Sequence, residues 1–161
     1  MAVEIKPAPA AFADWEGLMA LLHAAFAFQE GRIDPPSSLH RFDAASIAVK
    51  AKEESLFLAL DDGELVGCIF ARPQEGSLYV GKIAVSPQRQ GEGIGRGLMQ
   101  AAEDLARTSG LGVLELETRI ELTENHATFA AMGFMKFAEG SHPGYDRTTS
   151  ITMRKRLDFG V

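Results

Sequence analysis

From Gln90 to Arg96 the chain reads Gln-Gly-Glu-Gly-Ile-Gly-Arg, so that Gly91, Gly93 and Gly95 alternate with larger residues. Backbone without a Cβ can approach a bulky anion closely. The segment that follows, to about Thr108, has the pattern of an amphipathic helix. A helix start offers unpaired N–H donors and the positive end of the helix dipole. Loop and helix together therefore make a site for phosphate groups. Two familiar phosphate loops are excluded. In the dinucleotide pattern G-x-G-x-x-G, the last position would fall on Arg96 or Leu98, and no Gly here is followed by the Lys and Ser or Thr of a P-loop. The pattern present is Gln90-x-x-Gly93-x-Gly95, with Arg96 next. A Gly-rich turn that only joins a strand to a helix is the alternative reading.

Other residues offer proton chemistry. Glu115 and Glu117 alternate with Leu114, Leu116 and Thr118, and so share one face of a strand. A carboxylate beside a dry cleft can act as a base, and Glu117, nearer the strand's C-terminal end, is the better placed. An outward, solvated pair is the alternative. Ser141-His142-Pro143-Gly144-Tyr145-Asp146-Arg147 is rich in functional groups for a hairpin loop. There Tyr145 could supply a hydroxyl and His142 could relay a proton, or the stretch is simply a polar turn. His23, His40, His126 and His142 show no metal-ligand spacing, so no metal is expected.

Positioning these residues requires a particular order of elements. Val3 to Lys6 reads as a strand, and Asp14 and Asp43 read as caps of helices reaching about Phe28 and Lys52. Between them, Gln29 to Ser38 is rich in breakers. Ser55–Leu60, Leu65–Arg72 and Leu78–Val85 form a meander with turns at Asp61–Glu64 and Gln74–Gly76. After the Gly-rich loop and its helix come a strand over Val113–Thr118, a short helix from about Glu124 to Met132, and strands over Phe134–Glu139 and Ser150–Arg156. The intervening helix predicts that Val113–Thr118 runs parallel to Leu78–Val85.

The run Ile83-Ala84-Val85, then Pro87, then Gln90-x-x-Gly93-x-Gly95 and a helix, resembles the pyrophosphate-binding loop of the GNAT family of N-acetyltransferases, which holds acetyl-CoA. Gly133-Phe134 resembles that family's Gly-Phe pair after its fourth helix. The element order is similar over most of the chain, and the Gly-rich loop is the specific part. The resemblance implies a single-domain GNAT-like α/β fold, with a mixed, mostly antiparallel sheet and a splay between the fourth and fifth strands. It implies that Ile83, Ala84 and Val85 pair with pantetheine through their backbones, with an N–H near Val85 at the thioester oxygen. It assigns Gln90, Gly91, Glu92, Gly93, Ile94, Gly95 and Arg96 to the pyrophosphate, chiefly through N–H groups, and sets Asn125 and Phe129 beside the cofactor. Asn125 also reads as a helix-start residue. Glu30, Arg32 and Asp34 sit where the family often builds its acceptor wall; a polar linker is the default reading.

The chain departs from the family at two chemical positions. Where many members carry a Tyr that protonates the departing thiolate, this chain has Phe129; where some carry a Glu base, it has Lys82. Glu117, Tyr145 and His142 are therefore the catalytic candidates. The expected function is acetyl-CoA-dependent transfer to a primary amine of a small molecule or peptide. The alternative is a non-catalytic acyl-CoA-binding or regulatory module on the same fold.

Length and composition set outer bounds. The 161 residues suit one domain, expected over 1–161, with a sizeable core. A net charge of −6 gives no general help to a nucleic-acid partner and favours, weakly, a cationic acceptor. The one cysteine, Cys68, reads as a buried thiol and excludes an internal disulfide. The first residues lack the features of a signal peptide, and no apolar run has the length of a membrane span, so a cytoplasmic enzyme with no membrane partner is expected. Oligomeric state is left open by the sequence, although a C-terminal strand such as Ser150–Arg156 could pair across a homodimer.

Overall fold

Asp14 and Asp43 accept hydrogen bonds from the backbone N–H groups of Gly17 and Ser46, and so start helices α1 (Trp15–Phe26) and α2 (Ala44–Glu53). At α2 the Ser46 hydroxyl answers with a bond from the Asp43 N–H, completing a capping box. The computed structural model describes residues 3–157. Its strands are β1 (Val3–Pro7), β2 (Ser55–Asp61), β3 (Glu64–Gln74), β4 (Ser77–Val85), β5 (Val113–Arg119), β6 (Met135–Gly140) and β7 (Ser150–Arg156). Helices α3 (Ile94–Thr108) and α4 (Thr123–Ala131) flank β5 in the chain. Asp62 and Gly63 both take positive φ, +51° and +82°, the conformation a two-residue hairpin turn requires between β2 and β3. Helix α1 ends at Phe26, short of the expected Phe28, and tightens into a 3₁₀ turn over Ala27–Gln29.

The seven strands form one sheet in the order β1-β2-β3-β4-β5-β7-β6. Every neighbouring pair is antiparallel except β4 and β5. That parallel pair is joined only at Leu78–Leu114 and Tyr79–Glu115. Beyond it β4 stays with β3 as far as Val85, and β5 stays with β7 as far as Arg119. The two strands therefore part, as the splay requires. Strand β7 lies between β5 and β6, so both its edges are already hydrogen-bonded. The expectation that Ser150–Arg156 pairs across a dimer is corrected on that ground; the edges are β1 and β6.

A core lies on each face of the sheet. On one face α3 contributes Ile94, Leu98, Met99, Ala102 and Ala106, packed with Val66, Leu114, Leu116 and Phe134. On the other, Leu18, Leu22 and Ala25 of α1 and Ile47 of α2 pack on Leu58, Cys68, Phe70 and Ala84. Burial pushes the Cys68 thiol up to about 12, in keeping with an inert core side chain. Among the described residues no helix is long and apolar enough to cross a membrane.

Gly67 lies directly beneath helix α3. A Cβ on Gly67 would fall 3.0 Å from the Ala84 carbonyl oxygen, 3.1 Å from Leu98 Cδ1 and 3.2 Å from Ile94 Cγ2. Gly67→Ala is expected to overpack this contact and lower the unfolding free energy by about 1–3 kcal/mol in denaturant titration. Gly67→Val is expected to cost more.

Candidate active site

Along its parted edge β4 carries a bulge. Cys68 pairs with Ala84 and Phe70 with Gly81, so Lys82 and Ile83 together oppose Ile69. Lys82 takes φ +48°, rare for a residue with a Cβ. A bulge bends its strand and re-aims the groups around it. Here it falls in the stretch that β5 has left, where backbone N–H and C=O groups lack a neighbouring strand.

A 3₁₀ turn over Pro87–Arg89 leads from β4 into the Gly-rich loop. Gly91 and Gly93 take φ +80° and +84°, and a Cβ on either would meet nothing within 4 Å. The glycines thus serve the left-handed backbone, and open space lies beyond them. Gly93 is the N-cap of α3 and offers no side chain to the helix end, unlike Asp14 and Asp43 at α1 and α2. The first helical bond runs from Gly97 N–H to Gly93 C=O, so the N–H groups of Ile94, Gly95 and Arg96 precede the ladder. A groove of about 910 Å³ runs from this loop past Ile83, Ala84 and Val85 to Asn125 and Phe129 on α4. Gln90, Gly91, Gly93, Ile94, Gly95 and Arg96 all line it. The Glu92 carboxylate does not; it accepts from Arg89 Nε at 3.0 Å, and Arg89 also pairs with Asp61 at 2.8 Å.

A second cleft, of about 260 Å³, opens in the splay itself and shares Phe26, Gln29, Ile83, Asn125 and Phe129 with the groove. The two spaces therefore adjoin at these residues, beside the gap in the sheet. Glu117 lines this cleft, exposed and without an ion-pair partner among the described residues. Its neighbour Glu115 is committed instead to Arg154 Nε at 2.8 Å and Gln74 Nε2 at 3.0 Å. His142 also lines the cleft; its Nδ1 and its main-chain N both meet Thr149 Oγ1. Burial, then Arg119, hold the His142 imidazole below its ordinary pKa. Tyr145 lines neither space. Its hydroxyl donates to Asp34 Oδ1 at 2.6 Å, and that bond raises the phenol above its usual range.

Lys82, Thr118, Arg119 and Tyr79 also line the cleft and were not among the candidates read from the sequence. The Lys82 ammonium rests 4.6 Å from the centre of the Phe42 ring and 3.5 Å from Ser38 Oγ, with no carboxylate beside it. Burial, then Lys50, bring it down to about 8. Thr118 is 7% exposed, yet its Oγ1 has no hydrogen-bond partner. The signal for it was present: a hydroxyl continues the inward series Leu114, Leu116. Arg119 donates to the carbonyls of Pro35 and Pro36. Tyr79, the last residue of β4 to pair with β5, completes the wall, and burial, then Glu117, push its phenol up to about 12.

The segment from Glu30 to Pro36 is a strap rather than a free linker. Arg32 forms a two-pronged bond to Glu124 of α4, at 2.6 and 2.8 Å. The Asp34 N–H donates to Glu121 at 3.2 Å, and Glu30 meets His40 Nε2 at 2.7 Å. Arg147 donates to the Asp34 carbonyl at 2.8 Å. Glu124 lines the groove, so the strap crosses at its side. Among the described residues no cluster of His, Cys, Asp and Glu could hold a metal ion.

Comparison with known proteins places this arrangement. The model of the acetyltransferase (GNAT) family matches residues 15–134. The IAA acetyltransferase of Azospirillum brasilense is 35% identical over 107 residues, 65% of this chain and 68% of that protein. Among solved structures, the PaiA N-acetyltransferase from Thermoplasma acidophilum in complex with coenzyme A aligns at a TM-score of 0.80 and 15% identity, over 98% of this chain and 100% of that one. The ribosomal-protein-S18-alanine N-acetyltransferase from Escherichia coli aligns at 0.71 and 18%, over 99% and 97% of the two chains. At these identities the structural likeness is one of fold.

The Arg32 bond holds the Glu124 carboxylate at about 2, well below its ordinary range. A pKa depressed on folding contributes stability above the unfolded value and loses it as pH falls towards the folded one. NMR titration is expected to find Glu124 ionised until pH approaches 2, and Arg32→Gln is expected to return it towards 4.5.

Proposed function

This chain belongs to the acetyltransferase (GNAT) family, and we propose that it moves an acetyl group from acetyl-CoA directly to a primary amine of a small molecule or peptide. One observation carries this reading: the groove along β4 and the cleft in the splay meet where β4 and β5 part. A donor on one side and an acceptor on the other can touch through the sheet. The groove fits a nucleotide thioester on its own terms. It has an uncapped helix start, two left-handed glycines with open space before them, and a strand edge free to pair.

Acetyl-CoA supplies the activated acetyl group. The N–H groups of Ile94, Gly95 and Arg96, with the loop from Gln90 to Gly93, hold its diphosphate, and Arg96 adds charge at the groove wall. Glu92 takes part through its main chain, since its side chain is occupied by Arg89. The backbone of Ile83, Ala84 and Val85 pairs with the pantetheine amides, and an N–H near Val85 meets the carbonyl oxygen as negative charge develops there. Asn125 and Phe129 close the other wall.

In the cleft, Glu117 receives the incoming amine and takes its proton as the N–C bond forms and the C–S bond breaks. Phe129 has no proton to offer the departing sulfur. The partnerless Thr118 hydroxyl lines the cleft with Glu117 and is the group there that can donate a hydrogen bond to the departing sulfur. Tyr145, held by Asp34, fastens the strap rather than serving the sulfur. His142 orients the wall beside Glu117. The second reading, an acyl-CoA-binding module without catalysis, is favoured by Phe129 and Lys82 at the two departures from the family pattern.

Two measurements separate the readings. Gly93→Asp places a negative charge where the diphosphate is held, and Gly93→Asn imposes nearly the same backbone cost without it. Calorimetry is expected to show CoA affinity lost in Gly93→Asp and largely kept in Gly93→Asn. Glu117→Gln is expected to leave CoA affinity unchanged while lowering thiol release with an amine panel by ~100-fold, the size of lost acid–base catalysis. No thiol release by the wild-type protein across that panel, with CoA bound, would establish the non-catalytic module.

A further inference from the structure

The acceptor cleft carries a charge that the rest of the molecule does not. The chain has a net charge of −6, yet Lys82 and Arg119 both line this small space. Arg41 lies close enough to weaken the protonation of Lys82, Arg119 and His142 alike, and makes no ion pair among the described residues. Lys82 meets a ring and a hydroxyl, and Arg119 meets two carbonyls; neither has a carboxylate within ion-pair distance. Nearby carboxylates are already taken. Glu54 bonds Lys50 at 2.6 Å, and Asp34 and Glu121 lie 3.5 and 3.8 Å from Arg147. Glu117 is the one unpaired carboxylate on the wall, and an incoming amine needs it.

A half-buried ammonium without a counter-ion is costly to keep unless something anionic joins it. The available charge suits a monoanion. Arg119 spends its two terminal nitrogens on the strap, which leaves the Lys82 ammonium as the mobile donor over a diffuse positive background. We propose that the acceptor is a small amine that also bears a carboxylate, with the carboxylate against Lys82 and the amine against Glu117. An amino acid is the simplest such molecule. The amine half of this assignment rests on the transferase reading; the anion half rests on Lys82 and its surroundings alone. It also reverses the expectation from net charge, because the field inside the cleft is opposite in sign to that of the whole chain. The lowered pKa of Lys82, set by burial and by Lys50 and Arg41 against Glu54, is what a cation waiting for an anion would show.

Product binding tests the anion site without requiring turnover. The CoA-loaded protein is titrated calorimetrically with a panel of N-acetyl amino acids and with the matching N-acetyl amino acid amides. The acids are expected to bind at least ~10-fold more tightly than the amides, as one charge-assisted contact allows. That preference should vanish in Lys82→Gln, persist in Lys82→Arg, and in the wild type fade as pH rises through about 8, where Lys82 loses its proton. Equal binding of acids and amides by the wild type, or a preference that survives Lys82→Gln in a variant of unchanged Tm, would overturn the proposal. A preference for acids with no thiol released from acetyl-CoA and free amino acids would support the anion site and overturn the amine half of the assignment, while silence across the whole amine panel would sink the transferase reading itself.

Discussion

Two parallel strands that begin paired and then separate give up backbone hydrogen bonds that water or a ligand must replace. Strands β4 and β5 are joined at only two residue pairs, and everything chemical in this chain depends on what happens after them. The gap stays open because each strand is held from its outer side, β4 by β3 and β5 by β7. The bulge at Lys82 and Ile83 turns β4 further from its former partner. The left-handed backbone at Lys82, which costs about 1–2 kcal/mol in a residue with a Cβ, sits where that turn is made.

Polar groups around the gap divide into those already engaged and those left open. Glu92, Glu115, Glu124, Asp34 and Tyr145 all have partners at hydrogen-bond distance and hold loops, strands and the strap in register. Glu117 and Lys82 have no ion-pair partner among the described residues, the Thr118 hydroxyl has no hydrogen-bond partner, and all three line the cleft in the splay. Buried hydroxyls without a hydrogen-bond partner and half-buried ammonium groups without a counter-ion are uncommon in folded proteins. Their concentration at the splay is the strongest chemical statement the structure makes.

The fold was legible because local signals agreed with one another. Asp14, Asp43 and the Asp62–Gly63 turn act through contacts within a few residues, and each element they bound was found close to its expected limits. The Gly-rich loop was legible for the same reason: Gly93 and the helix after it are neighbours in sequence as in space. The cleft was not, because its walls come from β4, β5, the strap and the loop before β7, which meet only after folding. Nothing near Tyr145 in sequence announces Asp34, 111 residues away, which claims its hydroxyl. Lys82 looked like a missing carboxylate rather than a cation in its own right, since the positive groups that give it meaning, Lys50, Arg41 and Arg119, lie on other elements. The placement of Ser150–Arg156 inside the sheet likewise depended on strand order, which spacing alone does not fix.

The two cores sit back to back, with the sheet as the party wall between them. Helix α3 is seated on one side; α1 and α2 are seated on the other. The packing that holds each is separate, yet Phe26 at the end of α1 and Gln29 just after it line both the groove and the cleft. Substitutions in α2, which lines neither space, can therefore accumulate without reshaping either, whereas a change at the end of α1 is felt in both at once.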